Sequence, residues 1–481
     1  MIFSSLGFMF RFLPIFILIY YVTPAKFRNY VLLIGSFIFY AIGEPFYIVL
    51  LMLSVGLNFF IGSKIQEANL ASAVGETSRQ SKKWFRISLL YNLGILGIFK
   101  YLDFIIENLN RLFIVLADPD ADFILQLPFA NLLLPLGISF FTFELVAYQI
   151  RLYRKQIKAE KSLITFATYS FMFPQLLSGP IVLYENIITD IHHRKYSWLL
   201  VEDGLKLFVL GLGSKVLIAN RLSSLWTEIQ TIGFASISMP LAWMGAFSYA
   251  LQIYFDFAGY SLMAIGVGKM LGFELPQNFN QPYAAKSVTE FWRRWHMTLT
   301  GWFREFIYIP LGGNRGGFFK TLRNMLAVWL VTGLWHGADW NFVIWGLSIF
   351  LLIVIEKLFL KRFLDKSRIF SRLYIIFVVP FTWILFAISD LSDLSIYVRR
   401  LVSFQNTNTY ENIMLNDFVY YGKLYGTLFI LAFIMATPFP ARIYQKIKGN
   451  IFGIVLLLAI FWMSVYQLSI SQNNPFMYFR F

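Results

Sequence analysis

Only four histidines occur among 481 residues, and two of them sit in aromatic motifs, Phe291-Trp-Arg-Arg-Trp-His296 and Leu334-Trp-His-Gly337. Imidazole is the side chain best matched to proton transfer near neutral pH, so a histidine among membrane-spanning segments points to catalysis. His336 ends the stretch Val328-Trp-Leu-Val-Thr-Gly-Leu-Trp-His336, which is otherwise apolar and helix-like. An apolar site favours the neutral imidazole, the form that takes a proton from an attacking hydroxyl. Asp339 follows three residues later and would share a face with His336 if the helix ran on. The plainer alternative is a core histidine satisfied by one hydrogen bond. Acyl transfer within a membrane is the leading chemistry for the pair.

His296 follows Trp292 by four residues and precedes Thr300 and Arg304 by four and eight, a spacing that lines one side of a continuous helix. An interfacial helix, with tryptophan at headgroup depth and arginine on phosphate, accounts for the cations and less well for the histidine. Arg293, Arg294, Arg304, Arg315, Lys320 and Arg323 make a basic surface suited to an anionic donor such as a coenzyme A thioester, or equally to lipid phosphates. Gly312-Gly-Asn-Arg-Gly-Gly317 lacks the Gly-Lys-Ser/Thr ending of a phosphate-cradling loop and reads as a turn. His192 and His193 have no carboxylate at metal-ligand spacing and read as a solvated loop, so no metal is assigned. With no cysteine in the chain, disulfides, thiolate metal sites and a cysteine nucleophile are excluded.

These residues must be held by elements that live in lipid. Hydrophobic side chains make up 58% of the chain and charged ones 14%, more apolar surface than a soluble shell covers. Runs such as 451–468 are almost continuously apolar where barrel strands would alternate, so the spans are helices and the fold class is all-α and polytopic. The opening stretch, 6–22, lacks a basic leader and a small-residue cleavage site and reads as a retained first span. The net charge of +15 is a topological signal, not a nucleic-acid footprint.

Spans near 6–22, 30–42, 46–62, 86–104, 131–150, 373–388, 424–437 and 450–469 put every basic connection on one side. Those connections hold Lys26 and Arg28, Lys64 to Lys83, Arg151 to Lys158, Lys357 to Arg372, and Arg442 to Lys448, and they should face the cytoplasm. The loops 107–122 and 390–423, the N-terminus and the last eleven residues then lie outside. The region 277–323 is too charged for a lipid-facing span and too aromatic for a solvated loop, so it belongs at the interface or packed among helices. Leu134-Pro-Leu-Gly137 and Phe173-Pro-Gln-Leu-Leu-Ser-Gly-Pro180 read as broken helices, tolerated at depth only inside protein or along a cavity. Neither an internal repeat nor a second soluble domain is evident, and the expectation is one integral-membrane domain over 1–481 with 471–481 as an external tail.

Five runs carry a family resemblance: Tyr254-Phe-Asp-Phe-Ala-Gly-Tyr-Ser261, Asn278-Phe-Asn-Gln-Pro-Tyr283, Phe291-Trp-Arg-Arg-Trp-His296, Tyr308-Ile-Pro-Leu-Gly-Gly-Asn-Arg315 and Leu334-Trp-His-Gly337. Together they resemble the membrane-bound O-acyltransferases, and among these the branch of alginate and peptidoglycan O-acetyltransferase membrane subunits. The resemblance extends over nearly the whole chain. One departure is Leu262 after Gly-Tyr-Ser261, where the family commonly has aspartate, so no carboxylate role is carried over there.

The resemblance implies about eleven transmembrane helices, with re-entrant and interfacial helices around a central tunnel. It implies His336 as the central catalytic residue and His296 at the tunnel mouth, with Arg293, Arg294, Arg304 and Arg315 toward the donor. It implies no tightly bound cofactor, with acetyl-CoA or an acyl carrier as the donor substrate. The ending Phe476-Met-Tyr478-Phe479 matches a motif whose tyrosine accepts the acyl group and presents it outside. A phenol, with pKa about 10, is a better leaving group than a sugar hydroxyl, so acetyl-tyrosine stays activated for onward transfer. The implied partners are an extracytoplasmic SGNH-type acyltransferase, a cell-envelope polysaccharide and membrane lipid, and the implied location is the bacterial cytoplasmic membrane. Transfer of D-alanine to teichoic acids, and a non-enzymatic transporter or channel, are the alternatives.

Overall fold

The structure, a computed structural model, describes residues 1–71, 78–117, 125–403 and 411–471. Among these residues it is helical without strands. The chain forms two compact units. One comprises Met1, Arg11–Ser197 and Leu271–Leu275; the other Ile2–Phe10, Trp198–Met270 and Pro276–Phe481.

The first unit contains α1 (Leu13–Val22), α2 (Arg28–Gly43), α3 (Tyr47–Leu70), α4 (Arg79–Leu116), α5 (Ile138–Tyr153), α6 (Leu163–Phe171), the single turn α7 (Phe173–Leu176) and α8 (Tyr184–His192). Lipid offers no hydrogen bonds, so polar side chains here meet one another. Asn58 of α3 and Asn92 of α4 exchange amide hydrogen bonds at 2.8 and 3.0 Å, and Gln149 of α5 donates to the Asn58 carbonyl at 2.7 Å. The two segments read as broken pack on each other. Residues 125–137 precede α5 without helix, and Gly137 has a φ of 76°, with the Leu176 carbonyl where a Cβ would project. Buried Glu144 holds the second break, accepting from the Val182 amide at 3.2 Å and from Gln175 at 3.3 Å.

The second unit contains α9 (Trp198–Gly213), α10 (Asn220–Ile232), α11 (Met239–Met270), α12 (Val288–Arg294), α13 (Met297–Phe303), α14 (Phe318–His336) and α15 (Trp340–Ile355). After these come α16 (Lys361–Lys366), α17 (Arg368–Ala387), α18 (Leu391–Val402), α19 (Glu411–Met435), α20 (Pro438–Ile447) and α21 (Ile451–Ile470). α11 is buried nearly throughout and packs closely on α9, where Gly204 and Gly211 meet the carbonyls of Gly266 and Gly259. Small residues let two backbones approach where lipid supplies no drive between helices. Beside that contact Lys215 and Asp256 form a fully buried ion pair of 2.6 Å.

Among the described residues, eight helices are long and apolar enough to cross a membrane, and the protein is a multi-pass membrane protein. Six coincide with expected spans. The other two, Met239–Met270 and Trp340–Lys366, were not anticipated, while 6–22 forms a shorter apolar helix and 131–150 is helical only from Ile138. The basic connection at Arg442 is itself a helix, α20, with no buried residue.

Candidate active site

His336 is the last residue of α14. Gly337 turns the chain out with extended backbone, and Asp339 caps the next helix, accepting from the Trp340 amide at 2.6 Å. Asp339 therefore does not continue the helix of His336, contrary to the expectation of a shared face: the chain reverses between them, and the carboxylate is engaged in starting α15. The hairpin closes tightly, because Gly333 lies against the Phe342 carbonyl and Gly346 against the Trp329 carbonyl.

That closeness brings α15 aromatics onto the histidine. The buried imidazole meets Trp345 edge to face at 5.1 Å between ring centroids, Phe386 of α17 at 5.2 Å and its neighbour Trp335 at 4.8 Å. Asn341 fixes the third wall by donating to the Phe386 carbonyl at 2.9 Å, which joins α15 to α17. Below lie Trp292, Trp295 and Trp383, each within 4.9 to 6.1 Å of at least one other ring of the group.

His296 lies on the other side of Trp335, 6.0 Å from it by ring centroids, and packs edge to face on Phe257 of α11 at 4.7 Å. The continuous helix expected from Trp292 to Arg304 is absent. α12 ends at Arg294, Trp295 is extended, and His296 has a φ of 42° before α13 begins. Left-handed backbone at a non-glycine residue is uncommon and persists where surroundings hold it. Here the Met297 amide donates to the Asn278 carbonyl and the Asn280 amide to the Arg294 carbonyl, both at 2.9 Å. The break buries Trp292, Trp295 and His296 while leaving Arg304 exposed, so the motif is packed among helices and not spread along a headgroup face.

Asn278 also sets the tautomer of His296. Its Oδ1 lies 2.9 Å from Nδ1 and accepts from the Thr298 hydroxyl at 3.0 Å. An amide oxygen only accepts, so Nδ1 carries the proton and Nε2 the lone pair. Burial pushes the imidazole down to about 3, and it is neutral at physiological pH.

Glu356 is a positioning residue that the sequence did not reveal. It is buried where Trp340–Ile355 passes into the following turn, and it reaches the start of α12. It accepts from the amides of Val288 and Thr289, the latter at 3.0 Å, and from the Thr289 hydroxyl at 2.6 Å. A carboxylate at a helix N-terminus satisfies orphan amides and the helix dipole. It thereby fixes the helix that leads into His296.

The predicted donor-side arginines are not alike. Arg294 is paired with Glu290 at 2.6 Å, whereas Arg293, Arg304 and Arg315 are exposed. Gly312, Gly313, Gly316 and Gly317 all have positive φ, as a turn requires, and buried Asn324 ties the turn to α14 by donating to the Gly313 carbonyl at 3.0 Å. His192 belongs to the first unit, 3.6 Å from Glu160. Among the described residues no group of histidine, aspartate and glutamate is arranged around a metal position. Asp256 is engaged with Lys215, and Tyr478 lies outside the described residues.

Comparison with known proteins agrees with the motifs. The sequence profile of the membrane-bound O-acyltransferase family matches residues 82–398. A probable alginate O-acetylase of Azotobacter vinelandii is 39% identical over 72% of this chain and 66% of its own length. One from Pseudomonas putida is 34% identical with both chains fully covered. A peptidoglycan O-acetyltransferase of Helicobacter pylori is 29% identical over all of this chain and 98% of its own. With the profile spanning most of the chain and both histidine motifs in one aromatic enclosure, this protein belongs to the membrane-bound O-acyltransferase family.

Proposed function

We propose that this O-acyltransferase takes acetyl from a cytoplasmic thioester, acetyl-CoA, and passes it across the bacterial cytoplasmic membrane for O-acetylation of a cell-envelope polysaccharide. The observation that carries the reading is the placing of His336 and His296 on either side of Trp335, inside walls contributed by α11, α14, α15 and α17. The names of the relatives, alginate O-acetylase and peptidoglycan O-acetyltransferase, support acetyl and an envelope polymer.

In the first step His336 removes the proton from the acceptor hydroxyl, the phenol of Tyr478. The phenolate oxygen attacks the thioester carbonyl carbon, a C–O bond forms, the C–S bond breaks, and the imidazolium returns the proton to the departing thiolate. His296, neutral and held by Asn278, presents Nε2 toward the same chemistry. In the second step a hydroxyl of an extracytoplasmic SGNH-type partner attacks the acetyl carbonyl, its proton passes to the departing tyrosine phenolate as the tyrosyl C–O bond breaks, and a polysaccharide hydroxyl then takes the acetyl from the partner, whose own hydroxyl is restored. Exposed Arg293, Arg304 and Arg315 offer charge to the donor phosphates.

Intact-mass and peptide mass spectrometry after incubation with isotopically labelled acetyl-CoA tests this reading. Wild type is expected to carry label on Tyr478, and His336→Ala to carry none. Full labelling of His336→Ala would overturn the role of the histidine. Normal polymer acetylation by Tyr478→Phe would overturn the relay and leave the enzyme. Label from D-alanyl carrier protein but not from acetyl-CoA would favour the D-alanyl reading.

A further inference from the structure

Away from the histidines, the second unit holds a cavity of about 320 Å3 between α11, α17 and the corner where α19 meets α20. The size falls at the lower end of small-molecule sites. Its walls are apolar, with Phe247, Leu251, Ile376, Pro380, Phe433 and Pro438 among them. Arg372 is the charged side chain in the lining. It donates one hydrogen bond, from Nη1 to the Ala285 carbonyl at 3.0 Å, and a guanidinium has five donors.

Arg372, Ile376 and Pro380 recur at four-residue intervals and so lie along one face of α17, over about 12 Å at the helical rise. Pro380 also removes the amide that would bond the Ile376 carbonyl, which loosens the helix on this face. The result is an apolar slot with a guanidinium at one end.

The charge nearby has one dominant sign. The run 361–372 carries Lys361, Arg362, Lys366, Arg368 and Arg372 against Asp365. α20, whose first residue lines the slot, exposes Phe439 and Ile443 together with Arg442 and Lys446, the composition of a helix lying in the lipid interface. Both basic segments fall on the cytoplasmic side by the positive-inside rule, the leaflet whose acidic lipids attract such clusters. A long apolar slot, a guanidinium at its end and a basic interfacial helix together match an anionic amphiphile.

We propose that this slot binds an acidic phospholipid of the cytoplasmic leaflet, with an acyl chain in the cavity and the phosphate on Arg372. The site is separate from the acyl-transfer chemistry but shares a wall with it. Tyr283 lines the slot and packs on Tyr254 and on Phe291, each at 5.4 Å, and Phe291 stacks on Trp295 next to His296. A bound chain therefore backs the aromatic bed from behind.

Native mass spectrometry of the full-length protein in detergent, with dioleoyl phosphatidylglycerol or dioleoyl phosphatidylcholine added, reads the site directly. Wild type is expected to retain the glycerol lipid in clear preference to the choline lipid. Loss of a guanidinium–phosphate hydrogen bond in Arg372→Gln is expected to reduce that retention about ten-fold, with much of it restored in Arg372→Lys. Ala436→Phe fills the slot while keeping every charge, and is expected to abolish retention. Equal retention of the two lipids by wild type, or phosphatidylglycerol retention unchanged in Ala436→Phe, overturns the proposal. Each variant is checked for the wild-type elution volume and helical circular dichroism; should Arg372→Gln misfold, Ala436→Phe and Arg372→Lys still decide.

Discussion

His296 combines left-handed backbone, a fixed tautomer and complete burial, and each has a measurable consequence. Because burial holds its pKa near 3 against an ordinary 6.5, the unfolded chain binds a proton that the folded chain does not. The stability associated with the neutral ring is fully present above about pH 6.5 and is lost as pH falls toward 3. Unfolding midpoints measured between about pH 7.5 and pH 5.5 should therefore fall more steeply for wild type than for His296→Asn. Asparagine tolerates the left-handed conformation, so this variant keeps the turn while removing the titrating ring. Parallel curves would mean that His296 does not dominate the acid limb. If the imidazole takes part in proton transfer, the same variant should lose about 100-fold or more in acetyl transfer while remaining folded. The two histidines themselves were legible in the sequence through their rarity and aromatic company. The break at His296 was not, because neither proline nor glycine separates Trp292 from His296 and the spacing alone suits one helix. Asn278 was quoted as part of a motif, but only the fold shows its oxygen on Nδ1.

Helix pairs set the positions of these residues, and the contacts that set them are few and close. At Gly333 and Gly346 a Cβ would strike a backbone carbonyl of the facing helix, and backbone yields less readily than a flexible side chain. Gly333→Ala should destabilise the protein by ~1–3 kcal/mol, the usual cost of overpacking, and lower kcat more than it raises KM by shifting Trp345 against His336. Glu356 acts through α12, where its carboxylate serves two amides and a hydroxyl. Glu356→Gln leaves one oxygen in place of two and removes the charge, so a loss of ~1.5–3 kcal/mol in thermal stability is expected, with Glu356→Ala worse. An unchanged melting curve for Glu356→Gln would show that α12 does not depend on this cap. The sequence revealed the lipid-facing helices well because their apolar residues run on without interruption. It failed at α11 for the opposite reason: a helix packed by protein on all sides accommodates Ser248, Gln252, Asp256 and Ser261, and these hide a span from hydropathy. Trp340–Lys366 was missed beside it, its apolar run flanked by the His336 motif on one side and by a basic connection on the other.

At the scale of the whole molecule, charge and composition make one claim that the absence of cysteine renders easy to test. Basic connections assign Lys446 of α20 to the cytoplasm and Asp393 of α18 to the outside, with α19 crossing between them. Both side chains are exposed, so a thiol at either position is accessible to reagent from its own side of the membrane. The native chain contributes no background, since it contains no cysteine. A membrane-impermeant maleimide applied to intact cells or spheroplasts should label Asp393→Cys and spare Lys446→Cys, and lysis should make the second reactive. Labelling of both before lysis would mean that α19 does not cross, and labelling in the reverse order would invert the protein. Inversion would also contradict the proposed relay, which needs the chain after α21 to leave on the side opposite the proposed cytoplasmic donor. With α20 on the cytoplasmic side, α21 would carry the chain back out, the orientation that the proposed relay requires for delivery to an envelope polymer. The proposed relay has a purpose only in that orientation, so the maleimide experiment bears on the proposed function as much as on the topology.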